Sequence, residues 1–400
     1  MKILWVKTDF LHPTTRGGQI RTLEMVKRLH AKHELHYLTF EDTQNTEGAR
    51  RAGEYSSRQY AVPHVVPSKR SLAFAGQLVT GLFARLPLAV GRYESPAMRR
   101  KISELMRSER FDSIVCDFLA PAANFEDPSQ CVLFQHNVET ILWQRHTQNA
   151  SDPLRRAYFH LQAQRMFAFE RHICRSAAGV VAVSDADAGL MRSIFGATRV
   201  TAVPTGVDVP YFTPQAHAAG TVADLVFVGS MDWMPNSDGI LYFVDQILPL
   251  IRRKRPNCSL AIVGRAPGPE IRALAERDPL VQVTGTVPDV RPYLWGSAVS
   301  IVPLRVGGGT RLKIYEAMAA RTPVVSTMIG AEGLHVESPR DIHIADTPDT
   351  FANACLHLLD DDAERTRLAD TGYELVATKF SWDHVTRCFE QAMGIPVAAT

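Results

Sequence analysis

Apolar residues fall into short continuous runs, separated by longer stretches in which they recur every three or four positions. The first run, Ile3-Leu4-Trp5-Val6, lies between Lys2 and Lys7. It is too short for a signal peptide and has the length of a buried strand, so a strand is expected at Lys2–Val6. A loop holding Gly17 and Gly18 should follow. A helix should then begin near Ile20, with Leu23, Val26 and Leu29 along one face. Further strand-like runs lie at His36–Phe40, Ser113–Cys116, Cys131–Gln135 and Gly179–Ser184, with helical patterns between most of them. That alternation implies parallel strands joined by crossover helices.

The segment Val203-Pro-Thr-Gly-Val-Asp-Val-Pro210 interrupts regular structure and reads as a connection between domains. Residues Gln215–Gly220 are small and polar, as a surface linker would be. The pattern then restarts. Strands are expected at Asp224–Gly229, Ser259–Gly264, Val281–Thr284, Val299–Pro303 and Pro323–Ser326. Helices are expected at Asp238–Lys254, Pro269–Glu276 and Leu312–Ala320, and an amphipathic helix follows Phe380-Ser-Trp-Asp383. The fold class is therefore α/β, an open doubly wound parallel sheet in each half, without the G-x-G-x-x-G fingerprint.

Composition narrows this picture. A chain of 400 residues with 46% hydrophobic and 22% charged residues suits two globular domains of ordinary size. A formal charge of +2 gives no field to attract nucleic acid, so no nucleic-acid partner is expected. Cys116, Cys131, Cys174, Cys258, Cys355 and Cys388 form no C-x-x-C pair and show no zinc spacing. They read as small buried hydrophobes of a reducing compartment, and the expected location is the cytoplasm. No apolar stretch has the roughly 20 residues needed to span a bilayer.

In open parallel sheets, ligands collect beyond the carboxyl ends of the strands. The richest such turn runs from Val302 to Met318. Gly308 and Gly309, after Gly307, let a ligand approach the backbone. Thr310 can cap the helix that follows, whose free amides and dipole favour a phosphate. Arg311 and Lys313 add full charge, and Glu316, about one turn on, can accept from a ribose diol. The plainer alternative is a glycine-rich loop before a solvated basic helix start. Gly229 and Ser230, and then Arg265, end two other strands and are further phosphate partners. The backbone of Gly285–Asp289 could meet a base edge. In the first half, Gly17 and Gly18 offer amides. His136-Asn137 follows the run ending Phe134-Gln135, with a structural histidine as the alternative. Ser184 and Asp185 read as a helix cap.

Taken together these residues resemble glycosyltransferase family 4. The resemblance rests on Gly17-Gly18, His136-Asn137, Val183-Ser184, Pro204-Thr-Gly-Val-Asp208, Phe227-Val-Gly229, Ile262-Val-Gly-Arg265, Tyr315-Glu-Ala-Met-Ala319 with Pro323-Val-Val325, and Phe380-Ser-Trp382. In pattern the chain is similar to bacterial sugar transferases of exopolysaccharide clusters. The resemblance implies the GT-B fold: two facing Rossmann-like domains, a central cleft, and a C-terminal helix crossing back to the first domain. The implied domains are residues 1–205, on the acceptor side and joined by helix 380–400, and residues 206–379, on the donor side. It also implies a retaining hexosyltransferase that uses a UDP- or GDP-linked sugar, with no metal and no cofactor. In this scheme Arg311, Lys313 and Arg265 stabilise the leaving diphosphate, Gly18 adds a backbone donor, and His136 orients donor sugar or acceptor. Two departures stand out. Of the family's two glutamates in the loop and helix, Glu316 matches the second, while Gly308 occupies the first, which leaves the donor sugar open. Ser230–Asn236 replaces the usual Arg and Lys of its loop, and Thr205 stands where Asn is common.

The acceptor is expected to be a saccharide or a lipid-linked saccharide. Leu72–Val90 is mostly apolar, with Arg70, Arg85, Arg92, Arg99, Arg100 and Lys101 around it. It suits either a helix packed on the first domain or peripheral contact with an anionic inner-membrane surface. Two other functions fit the same architecture: a sugar-nucleotide epimerase, and a non-catalytic sugar-nucleotide-binding protein.

Overall fold

The computed structural model describes residues 1–14, 17–42, 46–68, 71–215, 220, 222–306 and 312–394, without the side chains of residues 73 and 75. The chain divides into two compact units, Met1–Pro204 with Val385–Thr400, and Thr205–His384.

The first unit holds seven parallel strands: β1 (Lys2–Val6), β2 (Glu34–Phe40), β3 (Arg58–Val62), β4 (Ser113–Asp117), β5 (Val132–Gln135), β6 (Gly179–Ala182) and β7 (Val200–Ala202). Their order across the sheet is β3-β2-β1-β4-β5-β6-β7. Ile3, Leu4, Trp5 and Val6 are fully buried because helices cover both faces of a parallel sheet. Trp5 packs on Phe134 and Phe389, with ring centroids 6.1 and 5.6 Å away. Phe389 comes from the helix Trp382–Ala392, so the last helix of the chain returns to the first sheet. His33 Nε2 meets Glu390 Oε1 at 2.9 Å along the same seam.

The second unit holds β8 (Ala223–Val228), β9 (Leu260–Val263), β10 (Val281–Val283), β11 (Ser297–Val302), β12 (Val324–Ser326) and β13 (His343–Ile344), all parallel, in the order β10-β9-β8-β11-β12-β13. Both sheets reverse direction beside their first strand, between β1 and β4 and between β8 and β11. Each reversal opens a crevice at the carboxyl ends of the strands.

Several expectations need correction. Gly17 and Gly18 are not loop residues but open the helix Gly17–His30. The single helix expected at Asp238–Lys254 begins at Met234 and is interrupted by a π turn at Phe243–Ile247 before Leu248–Lys254. Pro249 lacks the N–H that would continue the ordinary ladder. Strands β3, β7 and β13 carried no strand-like apolar run. Each lies at a sheet edge, where one side is uncovered and polar residues are tolerated, as in Arg58-Gln-Tyr-Ala-Val62. The helices Pro348–Asp360 and Asp362–Lys379 were also unassigned. Within the expected linker Gln215–Gly220, residues 216–219 lie outside the described residues.

Candidate active site

In the first unit the crevice between β1 and β4 is organised by one carboxylate. Asp117 ends β4 and is fully buried. Its Oδ2 accepts from Trp5 Nε1 at 3.0 Å, Lys7 Nζ at 3.0 Å and Thr22 Oγ1 at 2.8 Å. Its Oδ1 lies 2.7 Å from His136 Nε2. Burial alone would raise the acid, but Lys7 and His136 hold it well below the usual carboxylate range. An ionised carboxylate only accepts, so Nε2 of His136 carries the hydrogen, and Nδ1 is left as an acceptor. That Nδ1 is buried and has no hydrogen-bond partner among the described residues. Burial lowers His136 to about 4, against the pull of Asp117, so the ring is neutral at pH 7.

The His136 ring lies parallel to Phe118, at 3.8 Å between centroids. Phe118 adopts φ +71, a left-handed conformation that costs a bulky residue of order 1–3 kcal/mol. Lys7 Nζ also lies 4.1 Å from the centroid of the Phe118 ring. A Cβ on Gly18 would fall 2.7 Å from Phe118 Cζ, whereas one on Gly17 would meet nothing within 4 Å. The glycine at position 18 is therefore demanded by the Phe118 ring. The expected cap is present: Ser184 Oγ accepts from Asp187 N at 3.1 Å.

In the second unit the carboxyl ends of β8 and β9 and the helix after β11 carry Gly229, Ser230, Arg265, Lys313 and Glu316. Gly229 follows β8, and a Cβ there would lie 2.6 Å from Lys313 Nζ. Lys313, on the helix Leu312–Ala319, donates to Asn236 Oδ1 at 2.8 Å and sits 4.1 Å from the centre of the Phe227 ring. Asn236 in turn donates to Ser230 O at 2.7 Å. Burial raises the Glu316 carboxyl and the Lys313 charge opposes it, so the acid and the ammonium are neighbours. Arg265 follows β9. Its Nε donates to Ser230 Oγ at 2.6 Å, and its guanidinium lies 3.4 Å from Asp232. Gly264, with φ +154, is forced to be glycine, because a Cβ would lie 1.8 Å from Gly229 O. Gly308, Gly309, Thr310 and Arg311 lie outside the described residues. At Gly285–Asp289, the acid is held by Arg291, whose NH2 lies 2.6 Å from Asp289.

Sequence reasoning missed Asp117, Lys7 and Asn236. Asp117 and Lys7 each follow an apolar strand directly, so the rule that found His136 could have found them. Asn236 lies in the turn after β8, but its contact with Lys313 joins residues far apart in the chain. Among the described residues, Glu34, His36 and Glu109 come within reach of a common metal ion. The Lys2 ammonium already contacts Glu34, at 3.4 Å, and Glu109, so this cluster has its cation.

Comparison with known proteins follows the same division. Residues 15–210 match the model of Glycosyltransferase Family 4, and residues 223–361 match that of Glycosyl transferases group 1. A protein from Klebsiella pneumoniae described as an uncharacterised 44.6 kDa protein in the cps region is 21% identical over 372 residues, covering 88% of this chain and 89% of its own. The fold matches sucrose-phosphate synthase from Thermosynechococcus elongatus, with a TM-score of 0.65, 20% identity, and 98% of this chain and 97% of that one covered. It also matches WaaG, a glycosyltransferase involved in lipopolysaccharide biosynthesis, with a TM-score of 0.64, 14% identity and coverage of 98% and 100%. Anabaena HepE in complex with UDP and glucose gives a TM-score of 0.64 at 13% identity, with coverage of 98% and 99%. With two α/β units of parallel strands, a match to GT-B folds and both halves matched, the chain is a glycosyltransferase and belongs to glycosyltransferase family 4.

Proposed function

We propose that this glycosyltransferase moves a hexose from a UDP- or GDP-linked sugar to a hydroxyl acceptor, with retention at the anomeric carbon. The observation that carries the reading is the Lys313 ammonium, held by Asn236 against the Cβ-free face of Gly229 at the carboxyl ends of β8 and β11. A fixed cation at the carboxyl ends of the strands suits a pyrophosphate, although the Gly229 amide expected to join it is already bonded to Val263 O at 2.9 Å. Arg265 adds charge at the same end, and Glu316 supplies an acceptor for ribose hydroxyls. Arg311 and the amides of Gly308, Gly309 and Thr310 join them on the sequence argument. That HepE shares the fold and is described with UDP and glucose supports the choice of donor.

In the reaction the bond from the sugar C1 to the β-phosphate oxygen breaks, and the acceptor oxygen bonds to C1 on the same face. The acceptor proton passes to the departing phosphate oxygen. Lys313, Arg265 and Arg311 stabilise the charge that develops on the diphosphate, which is commonly the largest catalytic contribution. Their charges fill the role a metal would otherwise take, so activity should survive EDTA. His136, neutral at pH 7 and so no general acid there, helps to orient the donor sugar or the acceptor. The second unit takes the donor and the first the acceptor, with Gly18 adding a backbone donor.

The cps-region relative supports a place in bacterial polysaccharide synthesis, on the cytoplasmic side, with a saccharide or lipid-linked acceptor. One exposed segment supports a reading of peripheral membrane contact. Leu72, at the start of the helix Leu72–Gly81, is 92% exposed, Phe83 is 86% exposed, and Val79, Leu82 and Arg85 are also exposed. Arg165 anchors this segment by donating to the carbonyls of Gly81 and Leu82, at 2.5 and 2.6 Å. Apolar groups beside cations suit an anionic bilayer surface. Flotation with phosphatidylcholine–phosphatidylglycerol vesicles tests it, and absence of salt-sensitive binding refutes it.

The donor is tested by thermal-shift screening against UDP- and GDP-sugars, followed by product analysis. A stabilising sugar nucleotide that is hydrolysed slowly without acceptor is expected. Conversion of a UDP-sugar to its epimer without acceptor would instead make the chain an epimerase, and binding without any turnover would make it a non-catalytic binder.

A further inference from the structure

Glu139 lies two residues beyond His136-Asn137, and the reaction above gives it no role. It begins the helix Glu139–Asn149, and its side chain lines a cavity of about 310 Å³ within the first unit. Lys7, Asp9, Gln19, Tyr93 and Phe118 line the same space. The volume is at the lower end of the roughly 300–1,000 Å³ of small-molecule sites. Carboxylates, an amide and two aromatic faces around a small cavity are the groups that bind the hydroxyls and apolar faces of a sugar ring.

What fixes Glu139 there is a second acid, Glu170. Glu170 Oε1 accepts from Gln135 Nε2 at 2.7 Å and from Glu139 N at 2.9 Å. Its Oε2 accepts from Thr140 N at 2.8 Å and from Thr140 Oγ1 at 2.5 Å. Four donors make Glu170 the member of the pair that holds the negative charge, and they take up the first amides of the helix. Glu139, its neighbour, has Asn137 as a side-chain donor. Burial first, and repulsion from Glu170 second, push the Glu139 carboxyl up to about 7. Near neutrality it can therefore donate as well as accept, which is what a hydroxyl ligand requires.

We propose that this cavity receives a sugar ring of the acceptor and that Glu139 is the positioning residue that holds its hydroxyls. The proposal deepens the transferase reading and rests on it. The test uses the full-length protein and a panel of octyl glycosides with gluco, galacto, manno and N-acetylgluco configuration, observed by saturation-transfer NMR. At least one glycoside should bind the wild type. Glu139→Ala should weaken it tenfold or more, Glu139→Gln, which keeps a donor and an acceptor, should stay within about threefold, and UDP-sugar binding should be unchanged in both. Gln19→Ala, on another element of the same cavity, should weaken the glycoside too, which keeps the test open if Glu139→Ala folds poorly. Unchanged glycoside binding in Glu139→Ala, or no glycoside bound by a wild type that binds UDP-sugar, overturns the proposal. Failure of every sugar nucleotide to bind would overturn the transferase reading beneath it.

Discussion

His136 Nε2 lies 2.7 Å from Asp117 Oδ1, inside the first unit, with the imidazole neutral and its other nitrogen buried without a partner among the described residues. The carboxylate fixes the tautomer, and the tautomer leaves Nδ1 as a buried acceptor. Lys7, Trp5 and Thr22 satisfy the rest of the same acid.

Asp117→Ala leaves the buried Lys7 ammonium uncompensated. Removing one partner of such a pair costs about 3–5 kcal/mol. Urea unfolding should show a loss of that size, whereas His136→Gln should unfold within about 1–2 kcal/mol of the wild type and lose activity. Equal stability losses in the two variants would contradict the central place given to Asp117.

Lys313→Ala should lower turnover roughly 10²–10³-fold at saturating donor, the range found when one fixed charge-stabilising group is removed. Glu316→Ala should raise the KM for donor with a smaller effect on kcat, since a ribose contact acts in ground and transition state alike. Steady-state kinetics with the donor found by thermal shift separate the two. Full activity in either variant removes the role assigned to it.

Gly264→Ala would place a methyl 1.8 Å from Gly229 O at a backbone angle that side chains avoid. The expected loss is about 3 kcal/mol or more. Gly229→Ala would press a methyl on the ends of Lys313 and Asn236, at 2.6 and 2.8 Å, so it should cost less than Gly264→Ala and lose donor affinity. Thermal denaturation with and without donor checks both.

Glu139 gives a pH dependence whose sign is opposite to that of a salt-bridged acid. Its carboxyl is raised from 4.5 to about 7, so the folded chain keeps a proton that the unfolded chain has lost. The stability this supplies is present below about pH 4.5 and is lost as pH rises through about 7, at most about 3 kcal/mol in all. Glu139→Gln removes that loss. Its stability relative to the wild type should therefore be higher at pH 8 than at pH 5, as measured by urea unfolding. Parallel pH profiles would mean the acid is not shifted.

The sequence by itself determined the alternation of strand and helix, the renewal of that pattern after Val203–Pro210, and the turns where chemistry collects. Buried parallel strands must be apolar throughout, and ligand turns must break that run with glycine or charge, so Phe227-Val-Gly229 and Phe134-Gln-His136 are legible in one dimension. Edge strands such as Arg58–Val62 obey neither rule and stayed hidden. Only the tertiary structure decided that Asp117 joins Lys7 and His136, that Asn236 holds Lys313, and that Glu170 confines Glu139. Each of these pairings links side chains from different strands or helices, and hydrogen bonds act over about 3 Å of space whatever the separation along the chain.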